Sequence, residues 1–264
     1  MQHLDRYQAG DSPVHHLDPR VKVGVALLVI LSNALLPDGA WPAFLLTFGL
    51  VLLAGTVAGL GPWFAVRRSF VALPFALAAV SVIVAMPGQP LAAWAVGPWT
   101  LVPTDAGLIR FASIVARSLL SVQAAILLTA TTPFPDLLHA LRHLRVPPVI
   151  VAIIAFMYRY LFVLTDETAR LLRAREARSA RPAGGGGGGT VLWRARVAGH
   201  MAGQLFLRGY ERSERVHGAM LARGYTGELR TLTSHAMQRA DWACAALVVA
   251  AVAAIQIVGR LVGR

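Results

Sequence analysis

The sequence predicts an all-α, polytopic membrane protein with about five transmembrane helices and an inserted cytoplasmic region of long helices. Three observations predict it. Hydrophobic residues fill 56% of the 264 positions and charged residues 14%, against roughly a quarter charged in soluble domains. The mean hydropathy is +0.59, more apolar surface than one soluble core of this size can hide. Apolar runs recur along the chain, and Arg and Lys gather in alternate links between them, as expected of helices that cross a bilayer in turn.

The runs are Val21–Leu36, Ala43–Leu60, Phe70–Met86, Leu108–Ala130, Val146–Leu164 and Asp241–Val258. A spanning helix needs ~20 mostly apolar residues, so the first and third require flanking residues or a thinner bilayer. Met1 to Val23 is polar and lacks the apolar core of a cleavable signal peptide, so the first run is expected to act as its own insertion signal. Arg6, Arg20 and Lys22 stand at its start, whereas the link Pro37–Pro42 has no basic residue. Arg67 and Arg68 fill the next link, Pro87–Gly107 has none, and Arg142 and Arg145 follow the fourth run. The alternation places the N-terminus in the cytoplasm. Trp41, Trp94 and Trp99 suit the outer interface as aromatic anchors.

The fifth run has basic residues on both sides, Arg142 and Arg145 before it and Arg170 to Arg181 after it. Crossing would put the most basic segment outside, so Val146–Leu164 is expected to lie against the inner face, starting at Pro147 and Pro148. Arg159 between Tyr158 and Tyr160 also disfavours a lipid-facing span. Asp166–Ala180 then reads as helix, and Pro182 with Gly184–Gly189 breaks it as a flexible tether. No Walker Lys-Ser/Thr follows those glycines. A second long helix runs from about Thr190 to Arg223, with Leu192, Val197, Met201, Leu205, Val216 and Met220 in helical period and Gly224 as its stop. Asp241–Val258 is the last span. The expected organisation is a membrane domain over 1–131, a cytoplasmic or interfacial domain over 132–240 and a final helix over 241–264.

The two long helices of the insert end alike, in Ala174-Arg175-Glu176-Ala177-Arg178-Ser179 and Ala219-Met220-Leu221-Ala222-Arg223-Gly224. Both fit Ala-x-x-Ala-Arg-small. A small neighbour lets a partner's backbone approach while Arg presents a rigid, permanently charged fork. Two such ends could address two copies of one partner. Either Arg could also be a helix-end cation favoured by the dipole.

With these residues the chain resembles the transmembrane coupling component of energy-coupling-factor transporters, the EcfT family, and within it the cobalt-type CbiQ branch. His15-His16-Leu17-Asp18-Pro19-Arg20-Val21-Lys22 resembles the family's beginning, and Leu4-Asp5-Arg6-Tyr7 the cobalt branch. Arg178 and Arg223 match the central Arg of its two Ala-Arg-Gly signatures, with Ser179 replacing the first Gly, and the polyglycine between the helices departs from the pattern. The resemblance implies that Ala177, Arg178, Ser179, Ala222, Arg223 and Gly224 dock on two ABC-type, CbiO-like ATPase subunits. A separate, CbiM-like membrane subunit would bind the substrate, with a small accessory membrane subunit as a further possible member. It implies a bacterial inner-membrane importer, for cobalt ahead of nickel. ATP and Mg would belong to the partner ATPase, with no cofactor and no catalytic residue on this chain.

Remaining features weigh less. Asp18, Pro19 and Arg20 read as a cap pinning the first helix. His139 and His143 share a helix face, but no acid or thiol stands at ligand spacing, so no metal site is expected there or at His15 and His16. Cys244 stands alone in an apolar run, excluding an internal disulfide. Arg117, deep in the fourth run, could form a local pair or snorkel, as could Arg110. A stand-alone secondary transporter would want intramembrane carboxylates, and none lies deep in a run. An enzyme would need a nucleophile, metal set or paired acid and base, and none is evident. The net charge of +12 and pI of about 11.3 raise nucleic-acid binding. Topology and docking account for that charge, and the same Arg-rich helices could also meet a lipid surface.

Overall fold

The computed structural model describes residues 7–89, 94–96, 99–101, 104–178, 190–227 and 237–262. Leu4, Asp5, Arg6, Ser179, Pro182 and Gly184–Gly189 lie outside these, as do the side chains of Trp94 and Trp99.

A short helix α1 (Pro13–His16) leads into α2 (Pro19–Ala34). Asp18 caps α2, its carboxylate accepting from the Arg20 N–H at 2.8 Å, with Pro19 in the first turn, as the sequence predicts. Gly39 turns the chain at φ +79° into α3 (Trp41–Val57). Next come α4 (Pro62–Ser69), a 3₁₀ turn Phe70–Ala72, α5 (Leu73–Ala78), a second 3₁₀ turn Ala79–Ser81 and α6 (Val82–Ala85). The apolar run Phe70–Met86 is therefore a chain of short turns and not one helix. Pro74 lacks the N–H that a continuous helix would need. The Ser69 and Ser81 hydroxyls donate to carbonyls three residues back, Val66 and Ala78. An antiparallel hairpin of β1 (Trp94–Val96) and β2 (Trp99–Leu101), with Ala95 opposite Thr100, lies in the next link and is a minor departure from an all-helical chain.

Helix α7 (Asp105–Thr131) is capped by Thr104, whose hydroxyl accepts from the Gly107 N–H. It is followed by α8 (Phe134–His143), α9 (Pro148–Arg178), α10 (Val191–Ala222) and α11 (Arg239–Val262). Helix α9 is continuous for 31 residues. Val146–Leu164 and Asp166–Ala180, read from the sequence as two segments, join in it, because no Gly or Pro follows Pro148 within it. By length and composition α7, α9 and α11 are each apolar enough to cross a membrane, and α3 is apolar but shorter. The chain is an all-α membrane protein.

The fold divides into two compact units, 2–143 with 233–264 and, inserted between them, 144–232. Helix α8 thus belongs to the first unit, whereas the sequence reading began the coupling region at 132. In that unit α2, α3, α7 and α11 surround two apolar clusters. One joins Leu36, Ala40, Ala43, Phe44, Leu120 and Ile255, the other Val29, Ala124 and Val252. Polar side chains bind the same helices. Asn33 donates to the Arg117 carbonyl (2.9 Å) and Ser121 (3.1 Å), and Gln256 donates to the Ser32 carbonyl and hydroxyl. Such bonds compensate in a setting where the hydrophobic effect does not drive helices together.

Candidate functional site: exposed helix-end arginines and a buried N-terminal knot

In the inserted unit α9 and α10 run in opposite senses. Val149 and Ala152 share a cleft with Val216 and Met220, Phe156 and Tyr160 one with Ser213, and Leu164 one with Leu205 and Gly209. Beyond these, Glu167 pairs with Arg208. From Tyr160 to Arg178 is ~27 Å along α9, and from Ser213 to Arg223 ~15 Å along α10 in the other direction. The two arginines therefore stand roughly 40 Å apart along the helix axes. A single pocket on one partner cannot hold both.

Ala177, Arg178, Ala222, Arg223 and Gly224 are all exposed. Neither guanidinium makes an ion pair with a described residue. The end of α10 is built in detail. Gly224 adopts φ +79°, its N–H donates to the Leu221 carbonyl (3.0 Å), and the Tyr225 N–H donates to the Met220 carbonyl (3.0 Å). This double closure is a Schellman motif, which fixes Arg223 at the C-cap. Glycine serves twice there. It tolerates the left-handed backbone, and the space where a Cβ would stand is open. Ser179 at the end of α9 lies outside the described residues.

The first unit holds a buried polar knot where α2, α7, α8 and α11 begin or end. Asp18 is 4% exposed, Lys22 8% and Asp241 5%. The Lys22 ammonium donates to the His15 carbonyl (2.9 Å) and the Thr131 carbonyl (3.2 Å), tying the start of α2 to the end of α7. One Asp241 oxygen accepts from the Asp18 N–H (3.0 Å) and the other from the Gln238 N–H (2.8 Å). The Arg20 guanidinium donates to His139 Nε2 at 2.9 Å. Asp18 and Arg20 thus do more than cap α2.

Asp241 and Lys22 were missed as site residues. An acid three positions after Gln238 at the start of an apolar run is a capping signal, but its second partner lies 223 residues away. Lys22 is a charge inside the first turns of an apolar helix, which by itself marks a paired group.

The histidines are engaged by hydrogen bonds. His15 Nδ1 bonds Ser12 (2.7 Å), and His16 Nε2 bonds Asp11 (2.5 Å). Among the described residues no group of three or more His, Cys, Asp or Glu is gathered as a metal site. At the other end of the unit Arg117 forms a local pair, one of the sequence alternatives, donating to Asp38 (2.8 Å) and the Leu36 carbonyl. Arg110 stands 3.9 Å from the same carboxylate.

The family model for CbiQ, cobalt transport protein, matches residues 10–234. The chain is 28% identical to the energy-coupling factor transporter transmembrane protein EcfT of Lacticaseibacillus paracasei over 92% of each chain. It is 31% identical to the cobalt transport protein CbiQ of Salmonella typhimurium over 62% of this chain and 73% of that one. A match to an uncharacterized protein of Methanocaldococcus jannaschii, 31% identical, covers 48% of this chain and 44% of that protein, so the chain spans less than half of that relative. With a match over most of its length and an all-α membrane fold, the chain belongs to the CbiQ cobalt transport protein family and is a membrane component of energy-coupling-factor type.

Proposed function

We propose that this chain is the transmembrane coupling subunit of an ATP-driven importer, with cobalt ions as cargo. It passes the closure of two ABC-type ATPase subunits to a separate substrate-binding membrane subunit. The observation that carries this reading is the pair of exposed Ala-Arg ends on one antiparallel helix pair, too far apart for a single pocket. Each Arg enters a groove on its own ATPase subunit, and Arg supplies a fixed fork for carboxylates or carbonyls. The Schellman closure at Arg223 limits the play between groove and helix. A long helix with little play works as a lever, so the motion is of rigid-body or shear type.

In this reading the N-terminus and the 132–240 region are cytoplasmic, the membrane is the bacterial inner membrane, and the apolar first half of α9 lies at its inner face. ATP and Mg are held by the ATPase partners. Cargo is held by the substrate-binding subunit.

The test is a pull-down of the detergent-solubilised complex, wild type beside Arg178→Glu/Arg223→Glu, followed by cobalt and nickel uptake in vesicles. The expected result is an ATPase pair that copurifies with the wild type and is lost from the double variant, with membrane insertion unchanged and cobalt uptake abolished. Normal uptake by the double variant would overturn the docking assignment. If no ATPase copurifies with the wild type, the coupling function itself falls, and stand-alone secondary transport becomes the reading to test.

A further inference from the structure

The chain enters the 144–232 unit from α8 and returns from it into α11. The roots of both connections are held by one tripeptide. On the outgoing side, His139 of α8 accepts from Arg20. On the returning side, Asp241 of α11 accepts from the Asp18 N–H and, with its other oxygen, from the Gln238 N–H. Pro19 stands between Asp18 and Arg20, and its ring fixes φ there. The two roots are therefore linked through three consecutive residues. All of these atoms lie within the membrane unit.

The knot is also incompletely satisfied. Asp18 Oδ2 and Arg20 Nε are buried without a hydrogen-bond partner among the described residues. Arg20 Nε stands 3.9 Å from Asp18 Oδ1, so a shift of about 1 Å would bring it within bonding distance. Buried polar groups are nearly always paired. A small movement at the knot would therefore give Arg20 Nε an acceptor.

We propose that Asp18-Pro19-Arg20, with Asp241 and His139, forms a two-armed joint through which motion of the inserted unit reaches the membrane helices. Asp241 and His139 are positioning residues that hold the two roots in register. The inference rests on the coupling function proposed above and adds to it the place where the lever is hinged.

The test uses the whole complex in proteoliposomes and reads ATP hydrolysis and cobalt uptake together, for wild type, Asp241→Asn, His139→Ala, His139→Gln and Asn33→Ala. Asp241→Asn keeps the side-chain shape but removes one of two acceptors. His139→Gln keeps an acceptor for Arg20. Asn33→Ala deletes hydrogen bonds in the same unit away from the joint. Expected for Asp241→Asn and His139→Ala are complex yield and ATP hydrolysis within twofold of wild type, with cobalt taken up per ATP at least tenfold lower. His139→Gln should restore the ratio, and Asn33→Ala should leave it unchanged. An unchanged ratio in the first two variants overturns the joint while leaving the coupling function standing. An equal fall in Asn33→Ala, or loss of assembly in both joint variants, assigns these bonds to folding alone and also overturns it. A wild-type chain without ATPase partners overturns the coupling function, and the joint with it.

Discussion

The two units treat their polar groups in opposite ways. In the first unit four charged and amide side chains turn inward and bond across it. Lys22, Asn33, Asp241 and Gln256 each join elements distant in sequence. In the inserted unit they face outward. None of the residues of α10 is buried, and only Val151 and Ala152 are buried in α9. Exposed aromatic and aliphatic side chains such as Phe206, Tyr210 and Met157 share that surface with the arginines. This helix pair has little buried core of its own. The difference lies in how each unit is held: the first has buried polar bonds between distant segments, and the second has almost none.

Reversing one charge in each unit gives the sharpest break between them. Under the proposed docking, Arg223→Glu should reduce ATPase copurification at least tenfold. Arg110→Glu, at a partly exposed position of the membrane unit with Asp38 nearby, should leave copurification within twofold. Equal losses from both would mean that net charge, not position, governs assembly. Quantitative immunoblotting of the ATPase in affinity-purified complexes decides.

Next in size is Lys22→Met. The ammonium satisfies two carbonyls, and Asp136, Asp18 and Asp241 act on it electrostatically. Removing it leaves two acceptors short at about 1–3 kcal/mol each, partly offset because a buried charge no longer has to be desolvated. A net loss of about 2 kcal/mol should appear as a lower thermal midpoint of the detergent-solubilised chain. A midpoint within 1 °C of wild type (on the order of a few tenths of a kcal/mol) would show that the knot is not a stability element.

What could be read from the sequence was local chemistry. The cap at Asp18, the start at Pro148, the start near Thr190 and the stop at Gly224 all stand where residue type predicts them. Each depends on neighbours within four positions. Continuity was harder to read. Hydropathy ended one segment at Leu164, yet the backbone has no reason to break there. Pro74 was passed over inside an apolar run whose hydropathy looked unbroken. The tertiary partners could not be read, because Asp18 with Asp241 and Arg117 with Asp38 are bonds between segments far apart in sequence. The arginines at the helix ends were found by their repeated pattern, not by any property of one site.

Gly224→Ala addresses how firmly the insert presents its charge. At φ +79° an alanine meets its own backbone, not a neighbour, since the space around the missing Cβ is open. The strain should cost about 1 kcal/mol, the usual penalty for a left-handed non-glycine residue. The expected result is a frayed last turn of α10, read as faster amide exchange at Arg223 to Tyr225, with ATPase affinity lower by about fivefold. Faster exchange with unchanged affinity would separate the rigidity of the helix end from its recognition.

The smallest effect expected is at the ion pair between Glu167 and Arg208, which joins α9 to α10 near their crossing. Arg208 is more than half exposed, and Glu167 also lies 3.6 Å from Arg170. Solvent screening and the entropy of holding long side chains reduce such a pair to about 0.5 kcal/mol or less. Glu167→Gln should therefore leave the thermal midpoint and ATPase copurification unchanged within error, and added salt should have no further effect on the variant. A loss as large as that of Lys22→Met would contradict the contrast between the units. It would mean that the inserted pair is held by its own charges after all.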